Sequence, residues 1–296
     1  LIAILSSITV ACIIGVWQGW LIGYIHIPPF ICTLAGMFLF RGIARVILDS
    51  KTVAIMDKRF LSLFTSYIQI PGLDVNQRVI SSMAVGILVA VAITAYTFIS
   101  ERNKIKKGYE SASIKTTAIR VAIFDLVILF YAYKLMSYKG IPIMLIWILV
   151  VVAIFAFVTS KTVFGRYFYA VGGNEKATRL SGIDPRKVYF RAYFLMSLLA
   201  GLSGLLVGAR IGSVDGNMGS SYEMDAIASC FIGGASAYGG SGTVQGIMIG
   251  AILLGVINQG MSILGLPDQF QYIVKGAVLL GAVVFDVVSN HKTGKS

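Results

Sequence analysis

Few side chains in this sequence could make or break a bond, and they are scattered. No His-Glu-x-x-His, no Gly-x-Ser-x-Gly and no Ser/His/Asp set occurs, and no carboxylate pair lies inside an apolar run. Gly233-Gly234-Ala235-Ser236-Ala237-Tyr238-Gly239-Gly240-Ser241-Gly242 superficially looks like a phosphate cradle. No Gly-Lys-Ser/Thr follows it, so ATP hydrolysis through a P-loop is not expected of this chain. Cys12, Cys32 and Cys230 sit in apolar stretches without CxxC or Cys/His spacing, and read as buried free thiols. His26 has no partners at metal-ligand spacing and reads as an interfacial histidine in a turn. No catalytic residue, cofactor or metal is expected.

What remains is the chemistry of binding and coupling. Asp125, one to two turns inside a predicted span, suits either polar packing or a proton or ion site. Asp286 falls near one end of the last span, and Lys134 and Lys275 near the ends of theirs, where long side chains can snorkel. Thr33, Asn258 and Gln259 are uncharged polar residues within apolar runs. They suit hydrogen bonding between helices or a partly wet pathway for a hydroxylated solute.

Residues 165–187 form a basic island whose punctuation spells one short helix, 175–181. Asn174 can cap its N-terminus, Glu175 sits where the helix dipole favours an anion, Gly182 can take the left-handed C-terminal position, and Pro185 prevents continuation. Lys176 and Arg179 share a face, so this helix belongs at a membrane surface, facing water or another protein.

The elements that must position these residues follow from composition. Hydrophobic residues make up 57% and charged residues 13%, too apolar a chain for a soluble domain of 296 residues. The net charge of +12 lies in loops between apolar runs, with no aromatic-interleaved basic patch, so lipid or an acidic partner is expected and nucleic acid is not. A hydrocarbon core of about 30 Å needs about 20 apolar helical residues. On that ruler the chain is an all-α, polytopic transmembrane bundle, a single domain over 1–296 with about nine spans. These are 2–22, 28–48, 79–100, 118–136, 141–160, 192–212, 226–238, 244–264 and 270–289. The seventh is too short for a full span and is expected to be broken or re-entrant, with Asp225 as its N-cap.

The basic loop 101–115, with Arg120 at the edge of the next span, and the loop 161–191 are placed in the cytoplasm by the positive-inside rule. Segments 49–78, 137–140 and 212–225 then lie outside, and the tail lies inside if 226–238 crosses. Glycines recur every fourth residue at Gly204, Gly208 and Gly212, and again at Gly242, Gly246 and Gly250. Such faces suit close packing within the chain, contact with a second copy, or a moving gate.

The run 169–183 (YAVGGNEKATRLSGI), the motif Asp225-Ala226-Ile227-Ala228, and Ile232-Gly233-Gly234-Ala235-Ser236 with Tyr238-Gly239-Gly240 together resemble the membrane permeases of bacterial ribose-, xylose- and galactose-type sugar ABC importers. Residues 27–37 (IPPFICTLAGM) followed by Arg41-Gly42 are similar to that family too, and the likeness covers nearly the whole chain. It implies a type II ABC importer-like permease of the bacterial inner membrane, moving a xylose-like monosaccharide inward by alternating access. It also implies a permease homodimer, separate ATPase subunits and an extracytoplasmic sugar-binding protein. The coupling helix implied by the family maps to Asn174, Glu175, Lys176, Ala177, Arg179, Ser181 and Gly182. Where the family often reads Glu-Ala-Ala, three residues, Gly, this chain has Lys176, Ala177, Thr178 and Gly182, with the acid displaced to Glu175. A Gly-Ile-Asp-Leu-Ser-Val-Gly-Ser-like stretch in further N-terminal spans is usual in the family and absent here, so N-terminal truncation is expected. Importers of branched-chain amino acids and ion-coupled carriers are the alternatives.

Overall fold

The computed structural model describes residues 1–49, 51–67 and 140–292, together with helical residues scattered through 86–99 and 121–134. Two expected spans, 79–100 and 118–136, lie largely outside the described residues, and loop 101–115 and the last four residues wholly so. The chain folds as two compact units, Leu1–Leu61 with Ile148–Ser296, and Ser62–Trp147. Among the described residues six helices are long and apolar enough to cross a membrane.

The first unit opens with α1 (Ile2–Gly23) and α2 (Pro29–Leu48), joined by the tight connection at His26. Pro29 stands in the first turn of α2, where its missing N–H costs nothing, and Asp49 at φ +47° closes the helix. A two-residue strand β1 (Val53–Ala54) and helix α3 (Lys58–Thr65) follow. After α4 (Ile143–Lys161) come α5 (Val163–Gly173), α6 (Glu175–Leu180), α7 (Pro185–Ile211), strand β2 (Ser213–Val214), α8 (Tyr222–Ile232), α9 (Val244–Ile263) and α10 (Asp268–Lys292).

Helices α1 and α7 meet almost backbone to backbone. Ala11, Gly15, Gly19 and Gly23 recur every fourth residue and form one buried ridge. A Cβ on Gly19 would stand 2.8 Å from the Phe190 carbonyl, and one on Gly23 2.8 Å from that of Arg186. Small residues permit this approach, and dispersion then holds the pair where lipid offers no hydrophobic drive.

Helix α7 begins at Pro185 rather than at the expected 192. Asp184 caps it, accepting from the Arg186 N–H at 3.1 Å, and Pro185 takes the first turn. The proline expected to block the preceding helix therefore starts the next one. Arg186, Lys187 and Arg191 belong to the first two turns of α7, and the Arg191 guanidinium lies 5.7 Å from the Phe164 ring centroid.

At the far end of α7, Gly212 at φ +75° releases the chain into β2. β2 pairs antiparallel with β1, Val53 opposite Val214 and Ala54 opposite Ser213. Loops after α2 and α7 thus share one end of the unit, while α5, α6 and the His26 turn share the other.

The expected short span 226–238 is an eleven-residue helix, α8, that starts at Tyr222 and ends at Ile232, with Gly233 as its C-cap. It rises about 16 Å, half the thickness of the hydrocarbon core. Its N-cap position is Ser221 at φ +70°, and no side chain caps it. Asp225 is therefore not the cap; it lies inside the first turn and its carboxylate is used elsewhere. The second glycine face packs within the chain: a Cβ on Gly250 would stand 2.9 Å from Gly233 N, and one on Gly233 2.6 Å from the backbone of Gly246. The first face differs, since among the described residues Gly204 and Gly212 have nothing within 4 Å of a Cβ.

In the second unit, Ile143 N donates to Ser66 O at 2.9 Å and the Trp147 indole to Leu63 O at 3.3 Å. Thr94 Oγ1 donates to Asp125 Oδ2 at 2.7 Å beside a cavity of about 390 Å³, which gives Asp125 a polar packing partner.

Candidate functional site

Helix α6 is fixed by its own sequence. Asn174, extended at φ −157°, accepts from the Ala177 N–H at 2.9 Å through its side chain. Such a cap is worth about 1 kcal/mol. Gly182, at φ +84°, donates to Arg179 O at 3.0 Å and ends the helix. Tyr189 on α7 donates to Glu175 Oε2 at 3.0 Å, and the Ser181 hydroxyl to Ala177 O at 3.0 Å. Lys176, Ala177 and Arg179 are exposed.

Two members of α6 were not singled out from the sequence. Thr178 is its one buried residue, with its hydroxyl 2.8 Å from Ala170 O and 2.7 Å from Asn174 O. Leu180 is 89% exposed, an apolar side chain one turn from Lys176. On a short helix set in a basic island, that leucine was the signal. Beside α6 lies a cavity of about 570 Å³ lined by Glu175, Arg179, Tyr189, Asp184, His26 and Pro28 among others. His26 adopts φ +66°, with Nδ1 2.9 Å from Tyr24 O, so the histidine turn stands beside the short helix.

The link from α6 toward the membrane runs through α5. Gly172 lies against the turn after α8: a Cβ there would stand 2.7 Å from Gly240 N. Gly239 and Gly240, at φ +90° and +74°, return the contact, and Tyr169 donates to Gly242 O at 3.0 Å. The turn is held from its other side by Asp286, which accepts from the Ala237 N–H at 3.2 Å. The glycine run is thus a turn packed tightly between α5 and α10.

The expected pathway residues are separated. Thr33 donates to Pro29 O of its own helix at 2.9 Å, and Gln259 is exposed. Asn258 alone joins an interhelical group: its Nδ2 donates to Asp225 Oδ2 at 3.3 Å. The same oxygen accepts from Lys275 Nζ at 2.9 Å. Lys275 therefore does not snorkel; it pairs across α8 and α10. Asp225 Oδ1 and Asn258 Oδ1 are buried and have no donor among the described residues. The surrounding end of the unit is tied by Arg45, which donates to Asn217 Oδ1 at 2.8 and 3.1 Å, and by Arg41 at 3.4 Å from Glu223. A cavity of about 1040 Å³ opens there, with Tyr222, Asp215, Ser203 and Gly204 in its lining.

The family model described as "Branched-chain amino acid transport system / permease component" matches residues 1–283. The xylose transport system permease protein XylH of Haemophilus influenzae is 33% identical over 98% of this chain and 75% of its own length. Its counterpart in Escherichia coli is 31% identical over 99% of the chain and 72% of its own length. The ribose import permease protein RbsC of Escherichia coli is 45% identical over 48% of the chain and 44% of its own length. No solved structure gives a significant match.

Proposed function

Because the chain belongs to the family described as branched-chain amino acid transport system / permease component, we propose that it is the membrane-spanning subunit of an ATP-driven monosaccharide importer. It is a multi-pass protein of the bacterial inner membrane, and its substrate is a sugar of the xylose type. The observation that carries this reading is the likeness to XylH along 98% of the chain. The alternatives, an amino-acid importer or an ion-coupled carrier, are not favoured.

ATP is hydrolysed on a separate subunit, which docks on α6. The capped backbone, the exposed Lys176 and Arg179 and the bare Leu180 support that role: rigid helix, cationic flank, apolar knob. Residues 161–191 then form the cytoplasmic coupling loop. Its motion reaches the spans through Thr178 to α5, and from Gly172 to the glycine turn, so that closure of the ATPases tilts α8 against α9 and α10. Short as it is, α8 with its turn runs from the β2 end to the α5 end, which supports counting it as a crossing. With spans in 79–100 and 118–136, nine result. A sugar-binding protein delivers substrate at the β1–β2 end, two copies of the chain pair around the pathway, and Asn258, with Thr33 and Gln259 as weaker members, lines it.

The test is uptake of D-xylose into proteoliposomes holding the chain, its cognate ATPase and its binding protein. Uptake that requires internal-face ATP and survives an ionophore is expected. Uptake that needs an ion gradient and no ATP would overturn the proposal.

A further inference from the structure

We infer that Asp225, Asn258 and Lys275 form a hydroxyl-binding station for the transported sugar, with Asp225 and Asn258 supplying acceptors and Lys275 a donor; the inference rests on the sugar-import reading. The three residues come from three helices and meet at one level. Asp225 is the fourth residue of α8, Lys275 the eighth of α10, and Asn258 is five residues from the end of α9. At 1.5 Å per residue each lies about 5 to 11 Å inside the β2 end of its helix.

An aspartate and a lysine among apolar helices persist only when paired, and this pair is 26% and 20% exposed. The pairing is incomplete in a specific way. One oxygen, Asp225 Oδ2, takes both donors, from Lys275 at 2.9 Å and Asn258 at 3.3 Å. Asp225 Oδ1 and Asn258 Oδ1 are left buried with no donor among the described residues. Asp125 Oδ1 is likewise without a donor among the described residues, but here two such acceptors share one hydrogen-bonded group with an ammonium.

Two acceptors beside an ammonium with donors to spare complement neighbouring hydroxyls, each of which both donates and accepts. Charge selects further. Asp225 and Lys275 already neutralise one another, so a neutral polyol fits and a free anion or cation would have to break the pair. Tyr222 precedes Asp225 by one turn and Tyr272 precedes Lys275 by one turn, and both rings are more than a third exposed, at 50% and 59%. Such faces pack against the C–H side of a sugar ring. Tyr222 also lines the cavity of about 1040 Å³, which places that cavity one helical turn from the station. The two acceptor oxygens are closed off in this conformation, and displacement of α8 relative to α9 and α10 would uncover them.

The experiment pairs side-chain deletion with hydroxyl deletion. Initial uptake of D-xylose and of xyloses each lacking one hydroxyl is measured in the reconstituted importer. The wild type is compared with Asn258→Leu, Asp225→Asn and the neutral pair Asp225→Asn/Lys275→Gln. Comparing the ratio of variant to wild type across substrates cancels what the binding protein contributes to recognition. The expected result is a loss of about tenfold or more in kcat/KM for xylose, but less than about twofold for one deoxy analogue, since a side chain cannot be missed by a substrate lacking its partner. Equal losses on xylose and every analogue, from variants that still co-purify with the ATPase, would make the trio a strut and overturn the inference. If Asn258→Leu does not assemble, Asn258→Ala and the isosteric Asp225→Asn carry the same comparison. Wild type that moves amino acids and no monosaccharide would overturn the sugar-import reading itself, which distinguishes the two failures.

Discussion

At the α6 end of the first unit each named polar group has a partner: Asn174 caps its helix, the Thr178 hydroxyl reaches two carbonyls, Glu175 accepts from Tyr189, and Asp286 takes the Ala237 N–H. At the opposite end Asp225 and Asn258 share a donor network that leaves two buried oxygens without partners among the described residues. Partnered networks rigidify, whereas unsatisfied ones carry an energy that a ligand can recover. The contrast suits the proposed subunit, which would transmit force at one end and hold, then release, a solute at the other.

The sharpest way to break this comparison is Gly172→Val. Its side chain would enter the backbone of Gly240, where even a Cβ stands at 2.7 Å, and neither partner is the flexible end of a side chain. Loss of assembly with the ATPase and a fall in uptake of at least about a hundredfold are expected, as for overpacking at a backbone contact. Gly255→Ala, with nothing within 4 Å among the described residues, is the control and leaves co-purification and uptake within about twofold.

Next in size is Leu180→Glu. The residue is 89% exposed and supports no fold, so the melting temperature of the isolated chain stays constant while ATPase binding weakens about tenfold, as for loss of an apolar anchor. Unchanged binding would move the docking surface elsewhere. Asn174→Ala removes the cap and destabilises α6 by about 1 kcal/mol. Substrate-stimulated ATP hydrolysis is expected to drop severalfold, and Asn174→Asp to restore most of it. The smallest effect belongs to Glu175→Gln, whose amide oxygen still accepts from Tyr189; ATPase stimulation should change less than about twofold. A large loss would show that the displaced acid is read directly by the partner.

Most spans and the whole of α6 were legible from residue order. An apolar run of about 20 residues, an Asn cap three positions before its N–H partner and a Gly stop all act within a few residues, so no distant partner is needed to read them. Where local signals competed, the reading slipped. Pro185 reads equally as the stop of α6 or the first turn of α7, and the Asp184 bond to Arg186 N decides for the latter. Asp225 has the right type for a cap, but the helix extends three residues further back. The repeat Gly15, Gly19, Gly23 was a visible signal for close packing, though nothing in it names Phe190 and Arg186 as what it packs against.

The sequence by itself determined that this is a membrane bundle with one rigid polar helix at its surface, because hydropathy and capping are local properties. Tertiary structure alone decided that Lys275 meets Asp225 across 50 residues and that Gly172 meets Gly240. Those meetings depend on which helix faces touch, and that choice is made by many small surfaces packing together, no one of which carries its partner's address.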